Sequence, residues 1–503
     1  MHKTSNVFLY LPRQVLCLPL FTAKMNDDAK YFSYPLGEQQ AAAFSALKRF
    51  VQSEKSKVFL LKGYAGTGKT SLVGGLMRWM KKQELGCVML ATTGRAAKVL
   101  SDKCGSPAST IHRQIYVFKD LDDDLAAMSN MQQDIAVDDK GQLTLLFSLR
   151  VMEPEEPLVY VVDESSMISD ELDKAPSFAR FGDGRLLHDL FTYDLNGKFI
   201  FLGDPCQLPP ISQPVSHALS AEYIQQTYSL PVEEFVLTQI QRQTDNNGIV
   251  TASYRVRQLW EQNPPVKWAK FPLAGSSDIV FHNTHQELVD AYMLCYHQKT
   301  SDYATLICQT NRLCYEINSS IRKHLGRESD YPITGDLLLV TQNNYPTGLV
   351  NGDIVEVLAK GVVEYRAGLS FVPVFIKEIA TGKEHNVLLM QDIAISRQTN
   401  LTNKQHKDLF IDFYQRMKRK GIDQKDARFK EKMFSDPYLN GLRCVYGYAL
   451  TCHKGQGGEW EEVFLYLDNK IQGLPRPGIY QWIYTAVTRA RTRLHVVRDW
   501  FIT

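Results

Sequence analysis

The chain has 503 residues, 44% hydrophobic and 22% charged, and 57 Lys and Arg nearly balance 55 Asp and Glu for a net charge of +2. This excludes a globally disordered chain and a uniformly basic chromatin-type protein, while leaving room for a local basic groove. No apolar run reaches the roughly 18 residues of a membrane-spanning helix, and the length suits about three folded units of roughly 150 residues each.

Residues 1–24 contain VFLYLPRQVLCLPLF. Pro12 and Arg13 interrupt this stretch and no small-residue cleavage site follows, so it reads as an upstream extension, with Met25 as an alternative start. The nine cysteines include no CxxC pair. The expectation is free thiols in a reducing, cytoplasmic setting, without a disulfide framework or zinc knuckle.

Leu36–Phe50 has helical periodicity. Lys57–Lys62 is a short apolar strand that enters a glycine-rich turn, and a helix follows from Lys69 to about Gln83. Cys87–Ala91 is a second buried strand. Residues 120–139 carry seven aspartates and little apolar periodicity, which suits an exposed insertion. Pro157–Val162 and Lys198–Leu202 are further strands, each ending in acids or Gly-Asp. Strands alternating with helices predict a parallel α/β sheet. Thr305–Gln309 and Glu462–Leu467 repeat the style, with a helix at Leu313–Leu325. Residues 336–392 hold short β-rich runs separated by Gly and Asn turns, as in a small β-barrel. Residues 402–434 are helical and charged. Within them, Arg416–Lys432 has eight Lys and Arg against three acids, which suits an auxiliary nucleic-acid face or a solvated arm equally.

Gly63-Tyr-Ala-Gly-Thr-Gly68-Lys69-Thr70 fits GxxxxGK[ST] between a strand and a helix. Backbone N–H groups of such a loop (Gly63, Ala65, Gly66, Thr67, Gly68) close on phosphate oxygens, and the helix N-terminus adds a favourable dipole. Lys69 supplies charge at the β- and γ-phosphates and the Thr70 hydroxyl suits Mg²⁺. Val159-Tyr-Val-Val-Asp163-Glu164 delivers two carboxylates at a strand end. A strand followed by Asp-Glu is common, but downstream of a P-loop the pair suits Asp163 as the Mg²⁺ ligand and Glu164 as the base for the attacking water. Gln207, in GDPCQLPP past another strand end, is placed to sense the γ-phosphate.

GDxxQLPP resembles motif III of superfamily 1 helicases. Other segments match the same family in order. Leu36-xxx-Gln40-xx-Ala43-Phe44 resembles the adenine-reading Q motif, TGRAAK (93–98) motif Ia, and Ser109-Thr-Ile-His112 the DNA-contact motif after it. Leu237-Thr238-xxx-Arg242-Gln243 resembles motif IV, Thr451 to Glu459 motif V, and Tyr484 to Ala490 motif VI. TGRAAK and STIH favour the RecD-like, 5′-to-3′ branch, over roughly residues 35–500. The resemblance implies an α/β fold of two RecA-like P-loop NTPase domains, with ATP and Mg²⁺ between them. The first would span 35–240, after an N-terminal extension at 1–34, with 113–157 inserted where a wedge belongs. The second would span 241–335 and 441–503, interrupted at 336–440 by an SH3-like β-barrel and a helical insertion. Arg242 and Arg489 would act as arginine fingers, Gln456 and Gly457 would lie at the γ-phosphate, and Glu459 at the ribose. Thr93, Arg95, Thr110, His112, Thr451, His453 and Lys454 would line the single-strand groove, as phosphate-binding groups that read no bases.

The implied activity is ATP-dependent 5′-to-3′ translocation on single-stranded DNA with duplex unwinding. Single-strand/duplex junctions are expected partners, as are single-strand-binding and other repair or replication proteins, for a monomeric motor without a membrane partner. An RNA-directed helicase and a non-translocating regulatory NTPase are the alternatives.

Overall fold

The run Val58–Gly63 is apolar at consecutive positions because both faces of its strand are covered. Phe59 and Leu61 pack with Phe50, Leu72 and Leu76 on one side. Val58 and Leu60 pack with Tyr160, Val162 and Phe201 on the other. The strand is the fifth of six, all parallel, in the order Ala108–Thr110, Cys87–Ala91, Val159–Asp163, Lys198–Gly203, Val58–Gly63, Val232–Leu237. Helices Glu38–Gln52, Lys69–Lys82 and Gly94–Cys104 belong to this unit. The structure is a computed structural model and describes residues 28–121, 145–152, 157–172, 179–211, 213–240, 247–300, 303–344 and 346–503. The N-terminal extension through residue 27, nearly all of the acidic segment, and Arg242 lie outside these residues.

A second parallel sheet runs Ile279–His282, Ala490–Val497, Trp460–Leu465, Ala304–Cys308, Ala449–Thr451. Helix Gly478–Val487, every residue of which from Ile479 onward is buried, packs between this sheet and the first unit. The chain is therefore α/β with two P-loop-type parallel sheets, hereafter the first and second lobes.

Residues 337–390 form strands, as their short β-rich runs between Gly and Asn turns predict. Leu369–Glu378 pairs antiparallel with Ile354–Lys360, Glu364–Arg366 and Glu384–Met390, and Leu337–Val340 continues the sheet to Cys444–Tyr446. A parallel bridge between Leu389 and Leu442, in which Met390 N–H donates to the Leu442 carbonyl at 3.0 Å and Leu442 N–H to the Leu388 carbonyl at 2.7 Å, brings Glu384–Met390 back to the chain just before Cys444–Tyr446, so the two ends of the path meet as in a small barrel. The charged stretch after it is two helices, Asn403–Arg419 and Ala427–Ser435, broken at Gly421. Their apolar faces (Leu409, Phe413, Met417, Phe429) cover Leu369, Phe371 and Met390 of the sheet.

A small sheet joins Tyr116–Leu121 and Leu145–Leu149 with Ala179–Phe181. The third strand comes from beyond the 113–157 insertion expected from sequence. Phe118 of this sheet meets Phe434 edge-on at 5.6 Å, and Lys430 Nζ donates to the Phe118 carbonyl at 2.9 Å. Part of the basic segment is thus used internally: Arg416 also binds Asp412 at 2.8 Å and Asp436. Among the described residues all eight cysteines are free, and no helix is long and apolar enough to cross a membrane.

Candidate ATP and nucleic-acid site

The glycines of GYAGTGKT are required by geometry. Gly66 and Gly68 sit at φ 80° and 83°, where a side chain is strained. A Cβ at Gly68 would also lie 2.5 Å from Gln40 Nε2. Gln40, placed at adenine by resemblance, is committed at both ends to backbone: it donates to the Thr67 carbonyl at 3.2 Å and accepts from Gly37 N–H at 3.2 Å. It braces the loop. Lys69 Nζ donates to the Gly63 and Tyr64 carbonyls at 2.5 and 3.2 Å, so its ammonium lies inside the loop.

Asp163 ends its strand with Oδ2 3.4 Å from the Thr70 hydroxyl. Glu164 follows at φ 54°, a left-handed conformation that costs a non-glycine residue roughly 1–3 kcal/mol. Burial, with the Asp163 charge second, pushes the Glu164 carboxyl up to about 7. Burial also raises Asp163. A desolvated carboxylate beside a hydroxyl is an all-oxygen donor set of the kind a hard divalent cation takes, so Asp163 and Thr70 fit Mg²⁺.

The second lobe reaches this site through helix Gly478–Val487 and the residues after it. Arg489 is 4% exposed; its guanidinium donates to the Thr485 carbonyl at 3.0 Å and the Gly458 carbonyl at 3.1 Å. With its amide oriented to satisfy both neighbours, Gln207 donates to Glu164 Oε2 at 3.2 Å and accepts from Arg489 Nη2 at 3.3 Å. One side chain therefore joins an acid of the first lobe to an arginine of the second.

Sequence reading missed the residues that hold these lobes together. The Tyr484 hydroxyl accepts from the P-loop Ala65 N–H at 3.0 Å and donates to buried Asp204 at 2.7 Å. Thr485 Oγ1 accepts from Leu208 N–H at 3.0 Å, and Gln481 donates to the Gln207 carbonyl at 3.2 Å. Gln456 donates to the Leu208 carbonyl at 3.2 Å, so it engages the GDPCQLPP loop. A Cβ on its neighbour Gly457 would touch Ala96 at 3.2 Å. Glu459, expected at the ribose, pairs with Arg491 at 3.2 Å. Tyr484 and Asp204 lie inside recognised motifs, but their roles arise only when the lobes meet.

The expected groove residues divide into two groups. Thr93, Thr110 and Thr451 lie just past or at the ends of parallel strands, and each caps the following helix, accepting from Ala96, Arg113 and Lys454 N–H at 3.2, 3.3 and 3.4 Å. Capping uses each hydroxyl as an acceptor, which leaves its proton for phosphate. Burial lowers both His453 and Lys454. Arg95 instead stacks on Trp460 at 4.3 Å, with Nη1 buried and unpaired. His112 packs against Phe181 at 5.1 Å and Tyr116 at 5.5 Å, and burial pushes it down to about 4. It is a neutral ring at neutral pH. Lys98, the last residue of TGRAAK, binds Asp353 at 2.8 Å and Glu378 of the antiparallel sheet.

Comparison with known proteins gives two family matches: an AAA domain over residues 35–261 and a UvrD-like helicase C-terminal domain over 446–497. An uncharacterized protein of Acanthamoeba polyphaga mimivirus is 21% identical over 517 residues, spanning 91% of this chain and 98% of that one. The ATP-dependent RecD2 DNA helicase of Deinococcus radiodurans is 24% identical over 247 residues, 48% of this chain and 27% of that helicase. Among solved structures, a Bacteroides Pif1 helicase in complex with ADP-AlF3 and single-stranded DNA covers 92% of each chain at 17% identity and a TM-score of 0.45.

Proposed function

We propose that the chain is an ATP-hydrolysing superfamily 1 helicase of the RecD type, which translocates 5′ to 3′ along single-stranded DNA and unwinds duplex ahead of it; the AAA-domain match over residues 35–261 and the UvrD-like helicase C-terminal match over 446–497 support this reading. The observation that carries this reading is Gln207, bonded at once to Glu164 and Arg489. Any change at the γ-phosphate that moves Glu164 must move the contact between the lobes.

Lys69 and the P-loop amides bind the phosphates. Thr70 and Asp163 would hold Mg²⁺, which when bound neutralises charge on the β- and γ-phosphate oxygens. Glu164 orients and deprotonates the attacking water. Arg489 supplies positive charge from the second lobe, and its carbonyl bonds hold it in place beforehand. Tyr484 senses loop occupancy, because phosphate competes for the Ala65 N–H that its hydroxyl now takes. The strand crosses the ends of both sheets, held by the hydroxyls of Thr93, Thr110 and Thr451. DNA stacking resists with about 1.4 kcal/mol per base-pair step, so a wedge must part the strands. We take the sheet containing Phe118 as that wedge, a reading supported by its bracing from Lys430 and Phe434.

The test is a pair of partial duplexes, one with a 5′ tail and one with a 3′ tail, at equal salt. Unwinding of the 5′-tailed substrate alone is expected. Unwinding of only the 3′-tailed substrate would reverse the polarity while leaving the ATPase chemistry intact.

A further inference from the structure

We propose that Ala394–Asn400, the segment linking the antiparallel sheet to the helical arm, completes a backbone-phosphate site for the single strand, with Arg397 and Lys454 as its cations and Tyr315 as the stacking surface for the adjoining base. The proposal rests on the motor reading above and adds a third structural unit to the strand's path.

The segment faces the second lobe across a cleft walled by Asn311, Tyr315, Arg397, Thr399, Thr451 and Lys454, with no carboxylate in its lining. Among the described residues no acid lies within ion-pair distance of Lys454 or Arg397. Burial lowers Lys454. The Arg397 guanidinium stands 6.0 Å from the Tyr315 ring. Glu316, which senses the Arg397 charge, is bonded to Arg312 at 2.9 Å. Arg397 is exposed and Lys454 half-buried, and both face a cleft whose lining offers them no carboxylate, as suits an incoming anion.

The segment is also held in place. Before it, Asp392 accepts from the Ser370 N–H and hydroxyl at 2.6 and 2.8 Å. At its end, Asn400 accepts from Arg443 Nη1 at 2.8 Å. Arg443 is 6% exposed, and its side chain meets the neutral groups Gln342, Asn400 and His406. A third cation without a carboxylate thus lies behind the segment. The aromatic side of the site is equally defined, because Tyr315 forms a wall shared by this cleft and a neighbouring 180 Å³ cavity. A sugar-phosphate chain presents an anion and a flat base in succession, which matches cations beside an accessible ring.

The experiment titrates a labelled oligothymidine by anisotropy across a salt series, with the full chain. For single strands the slope of log K against log salt changes by about 0.7 for each phosphate that the protein ceases to neutralise. Arg397→Ala should flatten the slope by about that amount, and Arg397→Lys should restore it. Arg312→Ala, a cation on the same helix as Tyr315 but paired with Glu316, should leave the slope unchanged. Tyr315→Ala should weaken binding about fivefold or more at constant slope. A wild-type slope in Arg397→Ala, or an equal loss in Arg312→Ala, would overturn the proposal. If Lys454→Ala still weakens binding in that case, the motor reading stands without this segment. Competition by inorganic phosphate beyond that of chloride at matched ionic strength would mark a free-anion site and overturn it too. Failure of the unaltered chain to bind the oligonucleotide would remove the motor reading, and this proposal with it.

Discussion

The two parallel sheets contribute to one nucleotide site in different ways. The first lobe supplies Lys69, Thr70, Asp163 and Glu164 from strand ends and a loop whose shape its own backbone fixes. Gly66, Gly68 and Gln40 hold that loop from within the first lobe, and Tyr484 of the second adds a bond to Ala65 N–H. The second lobe supplies Arg489 and Tyr484 from a buried helix and the turn after it. Tyr484 meets Ala65 and Asp204, and Gln207 meets Arg489, only across the interface. On the proposed function, one half is prebuilt chemistry and the other a sensor of closure. Mutations should therefore fall into two classes, those that stop hydrolysis and those that uncouple it.

The largest effect is expected at Glu164. Glu164→Gln keeps the shape and removes the base, so ATP should bind while turnover falls about 10²- to 10⁴-fold; a filter-binding assay beside steady-state kinetics separates the two. Lys69→Ala should lower turnover roughly 10²- to 10³-fold and weaken nucleotide binding, while single-strand affinity changes little. Wild-type turnover in either variant would break the assignment of the first lobe as the chemical half.

The second class is subtler. Gln207→Ala removes the link between Glu164 and Arg489. It should cut DNA-stimulated turnover about tenfold or more, the equivalent of one lost hydrogen bond to a charged group, and leave DNA-independent turnover much closer to normal. Equal loss with and without DNA would mean that Gln207 serves the chemistry alone. Tyr484→Phe leaves Asp204, which is 1% exposed, without one donor. A stability loss of about 1–3 kcal/mol is expected, seen as a lower thermal midpoint.

The smallest effect concerns acid. His406 is pushed down to about 3 by burial and by Arg443 beside it, against an ordinary 6.5. The unfolded chain takes up a proton below pH 6.5 that the folded chain refuses, so this contribution is intact above that pH and is lost as pH falls. Raised carboxyls such as Glu164 and Asp204 titrate the other way. The readout is therefore a difference: the midpoint of the unaltered chain should drop relative to His406→Gln between about pH 6.5 and 4. A pH-independent difference would show that His406 is charged in the folded state.

What was legible in the sequence follows the same division. Strand positions agree to within one or two residues where an apolar run is bounded by a turn signal, as at Cys87–Ala91 and Lys198–Gly203. Local chemistry dictates them. The P-loop was legible because glycine spacing, lysine and the following helix are all local. Arg95 and Gln40 were less so. Each sits in a matched motif, yet Arg95 is drawn to Trp460 from the far end of the chain and Gln40 to the loop it braces. His112 reads as a polar groove residue until Phe181 arrives from a strand that sequence did not assign to its sheet. Tyr484 carried no signal of its own, because a tyrosine in an apolar helix looks like core until its hydroxyl finds Ala65 and Asp204.

The most direct test of the coupling between lobes is steady-state ATP turnover by the unaltered chain with and without single-stranded DNA. Turnover should be low alone and rise many-fold with saturating oligothymidine, with the rise lost in Gln207→Ala. Turnover indifferent to DNA in the unaltered chain would contradict a site in which the second lobe reports the strand to Glu164.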